Sequence, residues 1–324
     1  MTKHGFSKSP LRLVGKKICV AGANGMVGQA VVKSLRSEDG IVLPLTRDEA
    51  DLRDQRAVQD WFTVHKPDIV ILAAARVGGI HANATYPAEF LYDNLMIEAN
   101  IIHAAYQAGV EKLVFLGSSC IYPRNAPQPI QPETLLSAPL ETTNEAYAVA
   151  KIAGIKLCQA YRVQYGCDFI SLMPCNLYGP GDHYDMQDSH VIPALMMKMH
   201  QARETHVPRV ELWGTGTPLR EFLYVEDLAE GILHAMKYYS DPTPLNIGSG
   251  AEVSIADLAK MIAEVVGYKG EIEFNPEYPD GMPRKVLDSA IIRAHGWNAR
   301  MTLEEGLSVV YEDFCSRAER PDAA

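Results

Sequence analysis

The sequence predicts an α/β protein built on a doubly wound parallel sheet, with a smaller lobe towards its C-terminal end. Three observations predict it. Short apolar runs alternate with helical stretches through the first half of the chain, a glycine-rich turn joins the first run to the first helix, and beyond Tyr178 the pattern loosens as Pro and Gly become frequent. Alternation of buried strand and helix specifies parallel strands covered by helices on both faces.

Ile18 to Ala21 reads as a short buried strand, and Gly22-Ala-Asn-Gly25-Met-Val-Gly28 follows at once, opening a helical pattern that runs to about Leu35. The apolar runs Val42 to Leu45, Ile69 to Ala73, Leu113 to Gly117 and Phe169 to Met173 then alternate with helical stretches at Asp54 to Val64, Glu89 to Ala108 and Tyr147 to Tyr165. In the looser second half, a helix at Ile192 to Glu204 is followed by isolated strands. This gives an extension at residues 1–15, expected to be flexible or loosely docked, and a Rossmann-type dinucleotide-binding domain at residues 16–178. Residues 179–324 are expected to form mainly a substrate-binding lobe, with some late segments returning to the first domain.

Composition narrows the class. The 324 residues are 47% hydrophobic and 22% charged, ordinary globular values with room for a large core. The formal charge is −10 and there is no long basic run, which argues against a nucleic-acid partner. Apolar stretches such as Ile69 to Ala75 fall far short of the roughly 20 residues of a membrane span, and the N-terminus carries no apolar signal core. No membrane partner and a cytoplasmic location are therefore expected. Cys19, Cys120, Cys158, Cys167, Cys175 and Cys315 contain no CxxC pair, so neither a metal site nor a disulfide framework is expected.

In Gly22-x-x-Gly25-x-x-Gly28 the first glycine permits a tight turn, the second lets backbone approach a pyrophosphate, and the third allows close packing of helix on strand. The helix N-terminus then offers oriented amides to the anion. At the end of the second strand, Thr46-Arg47 stands where an acidic residue would bind a ribose diol, which favours NADP over NAD; a merely solvated arginine is the alternative. Asp51 and Leu52 fall where an adenine ring would be covered, and Ala73-Ala-Ala75 leaves room for the cofactor.

Tyr147 and Lys151 lie one helical turn apart on the same face, a spacing that lets a fixed cation assist a phenol in proton transfer. The pair is common by itself. Its neighbours add weight, because Gly117-Ser-Ser-Cys-Ile-Tyr122 closes a parallel strand at the end where doubly wound sheets bind ligands, and Ser118 is placed to polarise a carbonyl.

Ser118, Tyr147 and Lys151 form the triad of the short-chain dehydrogenases, which this chain resembles along most of its length; the glycine spacing and Asn176 point to the extended, sugar-nucleotide branch. Closer still, Val77-Gly-Gly-Ile80, Leu116-Gly-Ser-Ser-Cys-Ile-Tyr-Pro123, Thr143 to Gly154, Ser189-His-Val-Ile-Pro-Ala194, Trp213 to Phe222 and Pro279 to Lys285 resemble the GDP-L-fucose synthase family from about Lys17 to about Phe314. The resemblance implies epimerisation of GDP-4-keto-6-deoxymannose at C3 and C5, then reduction at C4 with NADPH. It implies Cys120 as base and His190 as acid in the epimerisations, with Ser118, Tyr147 and Lys151 completing the catalytic set. It places Asn24, Met26 and Val27 with the three glycines around the cofactor, joined by Leu116, Gly117, Ser118, Ser119, Pro174, Asn176, Leu177 and His190. It puts Lys198, Trp213, Arg220, Asp280 and Lys285 around the GDP-sugar, with cations for the diphosphate and carboxylates for guanine.

Taken alone, Cys120 reads as a packed thiol, His190 as a cap or surface residue, Trp213 as a core aromatic and Lys198 as solvated; their positions in the matched motifs favour the functional roles. Asn24 and Leu45 stand where family members carry arginines, so the NADP expectation rests on Arg47. A sugar-nucleotide 4,6-dehydratase or 4-epimerase would share the glycine turn and the Tyr/Lys pair, but dehydratases usually place Asp-Glu after the catalytic Ser or Thr, and this chain has Ser119-Cys120. A cofactor-sensing module that has lost catalysis would be expected to lack one of the triad. The helices at Glu89 to Ala108 and Tyr147 to Tyr165 suggest a homodimer formed through a four-helix bundle.

Overall fold

The chain begins with a strand, a glycine turn and a helix: β1 (Lys17–Ala21), then α1 (Met26–Leu35). The computed structural model describes residues 5–185, 189–278 and 280–318. Residues 1–4, 186–188, 279 and 319–324, which include Pro279 of the last matched motif and parts of the expected extension and second lobe, lie outside the described residues. β2 (Ile41–Leu45), α2 (Gln55–His65) and β3 (Ile69–Leu72) follow, then α3 (Ile80–Thr85), α4 (Pro87–Gln107) and β4 (Lys112–Leu116). After a long excursion come α5 (Glu145–Tyr165), β5 (Asp168–Pro174) and β6 (Asn176–Tyr178). The remainder is α6 (Val191–Glu204), β7 (Arg209–Trp213), β8 (Leu219–Tyr224), α7 (Val225–Tyr238), β9 (Leu245–Ile247), β10 (Glu252–Ser254) and α8 (Ile255–Val266). β11 (Glu271–Asn275), β12 (Arg284–Lys285), α9 (Ala290–Ala294) and α10 (Leu303–Ala318) end it.

The main sheet is parallel, in the order β2-β1-β3-β4-β5-β9. Every residue of β3 and β4 is buried, which is why these strands read as unbroken apolar runs. Pro44 is accommodated because β2 is an edge strand. The order reverses between β1 and β3, and in such sheets ligands bind beyond the carboxyl ends of the strands at that reversal. α2 is closed at its start by Asp54, whose carboxylate accepts from the amides of Arg56 (2.8 Å) and Ala57 (3.3 Å). The short helix α3 falls in a stretch where the sequence pattern shows no helix; six residues are too few to display a periodic face.

Two apolar clusters divide the molecule. One spans the main sheet with α1, α2, α4 and α5, and also takes in Leu228, Ile232 and Met236 of α7, Leu245 and Ile247 of β9, and Trp297. The other joins Met196 and Met199 of α6, Val210 and Leu212 of β7, Phe222 of β8, Ile262 of α8 and Leu307 of α10. α7, β9 and Trp297 thus share the apolar core of the main sheet. β8 is the centre of the smaller lobe's sheet, pairing with β10, β12 and β6.

The extension is not loosely docked over its described residues. Phe6 is 1% exposed and stacks on His295 with ring centroids 3.8 Å apart, while the amides of Ser7 and Leu11 donate to the carbonyls of Tyr238 (2.7 Å) and Lys237 (2.8 Å). One aromatic and a few backbone hydrogen bonds hold a segment that its polar composition describes as free. Replacing Phe6 by Ala should cost about 3 kcal/mol of stability, as for a buried aromatic truncated in a core; a denaturant titration giving less than 1 kcal/mol, on the same order as a surface change, would show the strap to be unimportant.

Candidate active site

Where the main sheet reverses, the glycine turn closes against β3. Gly22 has φ +86°, and a Cβ there would lie 2.7 Å from the Ala74 backbone. A Cβ on Gly28 would come 2.0 Å from the Gly22 carbonyl oxygen. Gly25 differs: a Cβ would meet only the Gly22 oxygen, at 3.5 Å, and would otherwise project into open space at the start of α1. Two glycines are required by the protein's own packing, and the third leaves a cradle that a side chain would fill. That cradle, at the N-terminus of α1, fits a pyrophosphate.

Asn24 and Gly25 are exposed there, with Met26 and Val27 half-buried beside them. Arg47 is exposed beyond β2. Asp51 is held by Arg53 through a two-oxygen ion pair whose shortest contact is 2.7 Å, and this pair, first of all its hydrogen bonds, lowers the carboxyl to about 2. Arg53 also reaches Asp93 (3.4 Å), which Arg76 pairs at 3.0 Å. Sequence reading missed these arginines, because the carboxylate they share, Asp93, comes from α4. Leu52 is buried, and its carbonyl accepts from Asn100 (2.9 Å).

At the end of β4, Leu116, Gly117 and Ser119 are buried and Ser118 is half-buried. Gly117 admits the Met173 side chain, 2.4 Å from where a Cβ would sit. The Ser118 hydroxyl accepts from the Cys120 amide at 3.3 Å, and it also hydrogen-bonds the Tyr147 phenol, lowering that group's pKa. The larger influences act in the other direction. Burial above all, then the charges of Cys120 and Glu98, push the phenol well above its ordinary value.

Lys151 is 2% exposed. Its Nζ lies 5.8 Å from the Tyr147 ring centroid, donates to the Leu116 carbonyl at 3.1 Å and pairs with Glu98 Oε1 at 3.0 Å. Glu98 on α4 is absent from the sequence-based site. The signal was an acid on that helix's buried stripe, four residues from Asn94 and three and four from Ile101 and Ile102.

Cys120 is a free, half-buried thiol that accepts from Asn144 Nδ2 at 3.4 Å and lies 3.6 Å from Lys285 Nζ. Lys285 was expected at the diphosphate; β12 brings it to the thiol as well. Its strand neighbour in register is Arg220 of β8, half-buried and with its pKa lowered by burial.

The other expected substrate residues gather around the end of β7. Trp213 is 63% exposed and stacked on Tyr278 at 4.6 Å, so it is no core aromatic. Lys198 donates to the Glu211 carbonyl. Asp280 is engaged by Thr215, accepting from its amide (2.6 Å) and hydroxyl (2.8 Å), so its carboxylate orders the loop after Trp213. Tyr278 and Thr215 were missed, since each acts through a partner distant in sequence.

Pro174 is buried, Leu177 half-buried, and Asn176 donates to the Glu221 carbonyl at 3.0 Å. His190 is exposed in the N-cap position of α6 without a side-chain capping bond, and its charge lowers the buried Asp182, whose carboxyl burial raises overall. No hydrogen bond among the described residues joins His190 to Cys120. The structure therefore brings Ser118, Cys120, Tyr147, Lys151 and Lys285 together and leaves His190 on a separate element.

The model of the NAD dependent epimerase/dehydratase family matches residues 18–248. A GDP-L-fucose synthase of Sinorhizobium fredii is 53% identical over 304 residues, covering 94% of this chain and 97% of that one. The chain belongs to the GDP-L-fucose synthase family. A second member, from Escherichia coli, is 49% identical over 315 residues, covering 94% of this chain and 98% of its own. A solved GDP-L-fucose synthetase from Naegleria fowleri bound to NADP superposes with a TM-score of 0.90 at 29% identity, over 97% of this chain and 99% of that one.

The glycine geometry separates two outcomes. Gly25→Val should keep the fold, as judged by an unchanged melting transition, while dinucleotide affinity measured by fluorescence titration falls about 100-fold or more, the loss of a pyrophosphate subsite. Gly28→Ala should instead destabilise the protein itself. Unaltered affinity in Gly25→Val would place the pyrophosphate elsewhere.

Proposed function

We propose that the protein converts GDP-4-keto-6-deoxy-D-mannose to GDP-L-fucose by epimerisation at C3 and C5 followed by reduction at C4. The observation that carries this reading is the convergence of Cys120 with Ser118, Tyr147 and Lys151 at the carboxyl end of β4, inside a family whose members bear that name. A reductase needs the last three. The thiol is the addition that epimerisation requires.

The C4 carbonyl acidifies the hydrogens on both neighbouring carbons, so a base can remove one and leave an enediolate. Cys120, as thiolate, takes the proton from the carbon. Ser118 and Tyr147 donate hydrogen bonds to the enediolate oxygen, where fixed donors act most strongly. His190, as imidazolium, returns a proton to the opposite face, and exchange with solvent restores both groups for the second centre. NADPH, when bound, supplies the hydride that reduces C4. Tyr147 then gives its phenolic proton to the C4 oxygen. Lys151 is held between Glu98 and the Leu116 carbonyl beside that phenol.

For the cofactor, the turn Gly22 to Gly28 would hold the pyrophosphate and Arg47 the ribose phosphate. Leu52 would cover the adenine, and Gly117, Pro174, Asn176 and Leu177 would hold the nicotinamide end. For the substrate, Trp213 offers guanine a stacking face, and Lys198, Arg220 and Lys285 offer charge to the diphosphate. The first lobe is the dinucleotide-binding domain and the second mainly the substrate lobe. A homodimer through α4 and α5 is supported by Val149 and Val163, 43% and 86% exposed on one side of α5 about four turns apart.

The decisive experiment supplies GDP-4-keto-6-deoxymannose and NADPH and identifies the sugar formed. GDP-L-fucose is expected; GDP-rhamnose or GDP-talose would mean reduction without double epimerisation. With NADPH withheld in D₂O, Cys120→Ser should suppress solvent exchange at C3 and C5 about 100-fold or more, within the range lost with a general base. Undiminished exchange would remove the thiol from that role. NADPH should exceed NADH in kcat/KM, and equal values would sink the part given to Arg47.

A further inference from the structure

The Lys151 ammonium is enclosed on one side by α4. Glu98 and Lys151 are each 2% exposed, with Oε1 and Nζ 3.0 Å apart, and nothing in the triad chemistry calls for a carboxylate there. Room for it is made by Gly154 on α5: a Cβ at that position would lie 2.6 Å from Glu98 Oε2 and 2.5 Å from the Phe115 ring. Phe115 closes the other side, its centroid 4.9 Å from Nζ. The ammonium is thus set by a carboxylate, the Leu116 carbonyl and an aromatic face, three groups from two elements other than its own.

We propose that Glu98 is a positioning residue for the reductive step: it fixes Lys151 and offsets that residue's charge, so that Tyr147 stays protonated and able to act as the acid. The inference rests on the reading of Tyr147 as proton donor. The physical logic is one of sign. An unopposed ammonium beside a phenol favours phenolate, which assists a dehydrogenase that removes a proton but hinders an enzyme that must deliver one. A carboxylate on the far side of the ammonium cancels most of that field. The groups facing Tyr147 are Cys120 and Ser118 from the turn after β4, Glu98 and the Phe90 ring from α4, and Lys151 from its own helix; those facing Glu98 are Lys151 and Cys158 of α5. Of these only Glu98 and Cys120 bring negative charge to the phenol, and both push it upward, while burial raises Glu98 itself against the pull of Lys151 and the Gly154 amide.

The test is the pH profile of NADPH-dependent reduction in Glu98→Gln, which keeps the side chain's shape and removes its charge. Because the phenol must be protonated, the rate falls above its pKa. The basic limb of kcat/KM should move to lower pH, costing about tenfold at the alkaline end for each unit of displacement. Adding Glu98→Gln to a Lys151→Met background should change the residual rate and its profile by less than about twofold, because without the ammonium the buried carboxyl takes up a proton and has no charge left to lose. A Glu98→Gln limb that superimposes on the parent's, or an equal further loss in the Lys151→Met background, overturns the proposal. Should Glu98→Gln not accumulate as folded protein, Glu98→Asp, one methylene short of Lys151, should move the limb the same way by less; an unmoved limb there overturns it equally. Tyr147→Phe separates the two readings: retained reduction in that variant would remove the donor role, whereas lost reduction with an unmoved Glu98→Gln limb would remove only the role of Glu98.

Discussion

An ammonium group buried to 2% exposure is the constraint around which the catalytic end of this protein is arranged. A lone buried cation is untenable, and breaking a buried pair costs about 3–5 kcal/mol, so Lys151 obliges its neighbours to supply compensation. α4 supplies Glu98, β4 supplies the Leu116 carbonyl, and α5 omits a side chain at Gly154 so that carboxylate and Phe115 can close in. The packing of α4 on α5 therefore includes a buried ion pair within its apolar contacts. That packing in turn places Tyr147 beside Ser118 at the mouth of the sheet.

The second organising feature is the closeness of backbone at the first turn. Gly22 and Gly28 are required because Ala74, just after β3, and the turn's own carbonyl occupy the space that side chains would need. The consequence is a helix that starts directly over the end of β1, with amides facing the reversal in strand order. The glycine turn after β1 and the Ser118–Cys120 turn after β4 are one strand apart because β3 alone lies between them.

The lobes meet through a short chain of contacts. Cys120 in the first lobe lies against Lys285 of β12, Lys285 is in register with Arg220 of β8, and the loop after Trp213 is tied down by Asp280. Thiol and cations are thereby linked towards the Trp213 face by two adjacent strands, β12 and β8. A substrate with a reactive sugar at one end and a base at the other suits such a path. It explains why a residue expected only at the diphosphate also touches the thiol.

The sequence by itself determined the strand and helix alternation, the glycine turn, the triad and the family, because each is encoded within a window of a few dozen residues by period, spacing or motif. Where it named a helix, the ends fall within two residues of those observed, but it named none at α7, α8 or α10. Tertiary structure decided what depends on residues far apart in the chain: Glu98 opposite Lys151, Arg53 and Arg76 around Asp93, Tyr278 on Trp213, Lys285 at Cys120, and the docking of Phe6. A charge on a buried helix stripe is visible in the sequence as an irregularity, but its partner is not. Ion pairs and ring stacks are short-range, so their partners are chosen only when the sheet order and helix packing have brought distant segments within a few ångströms.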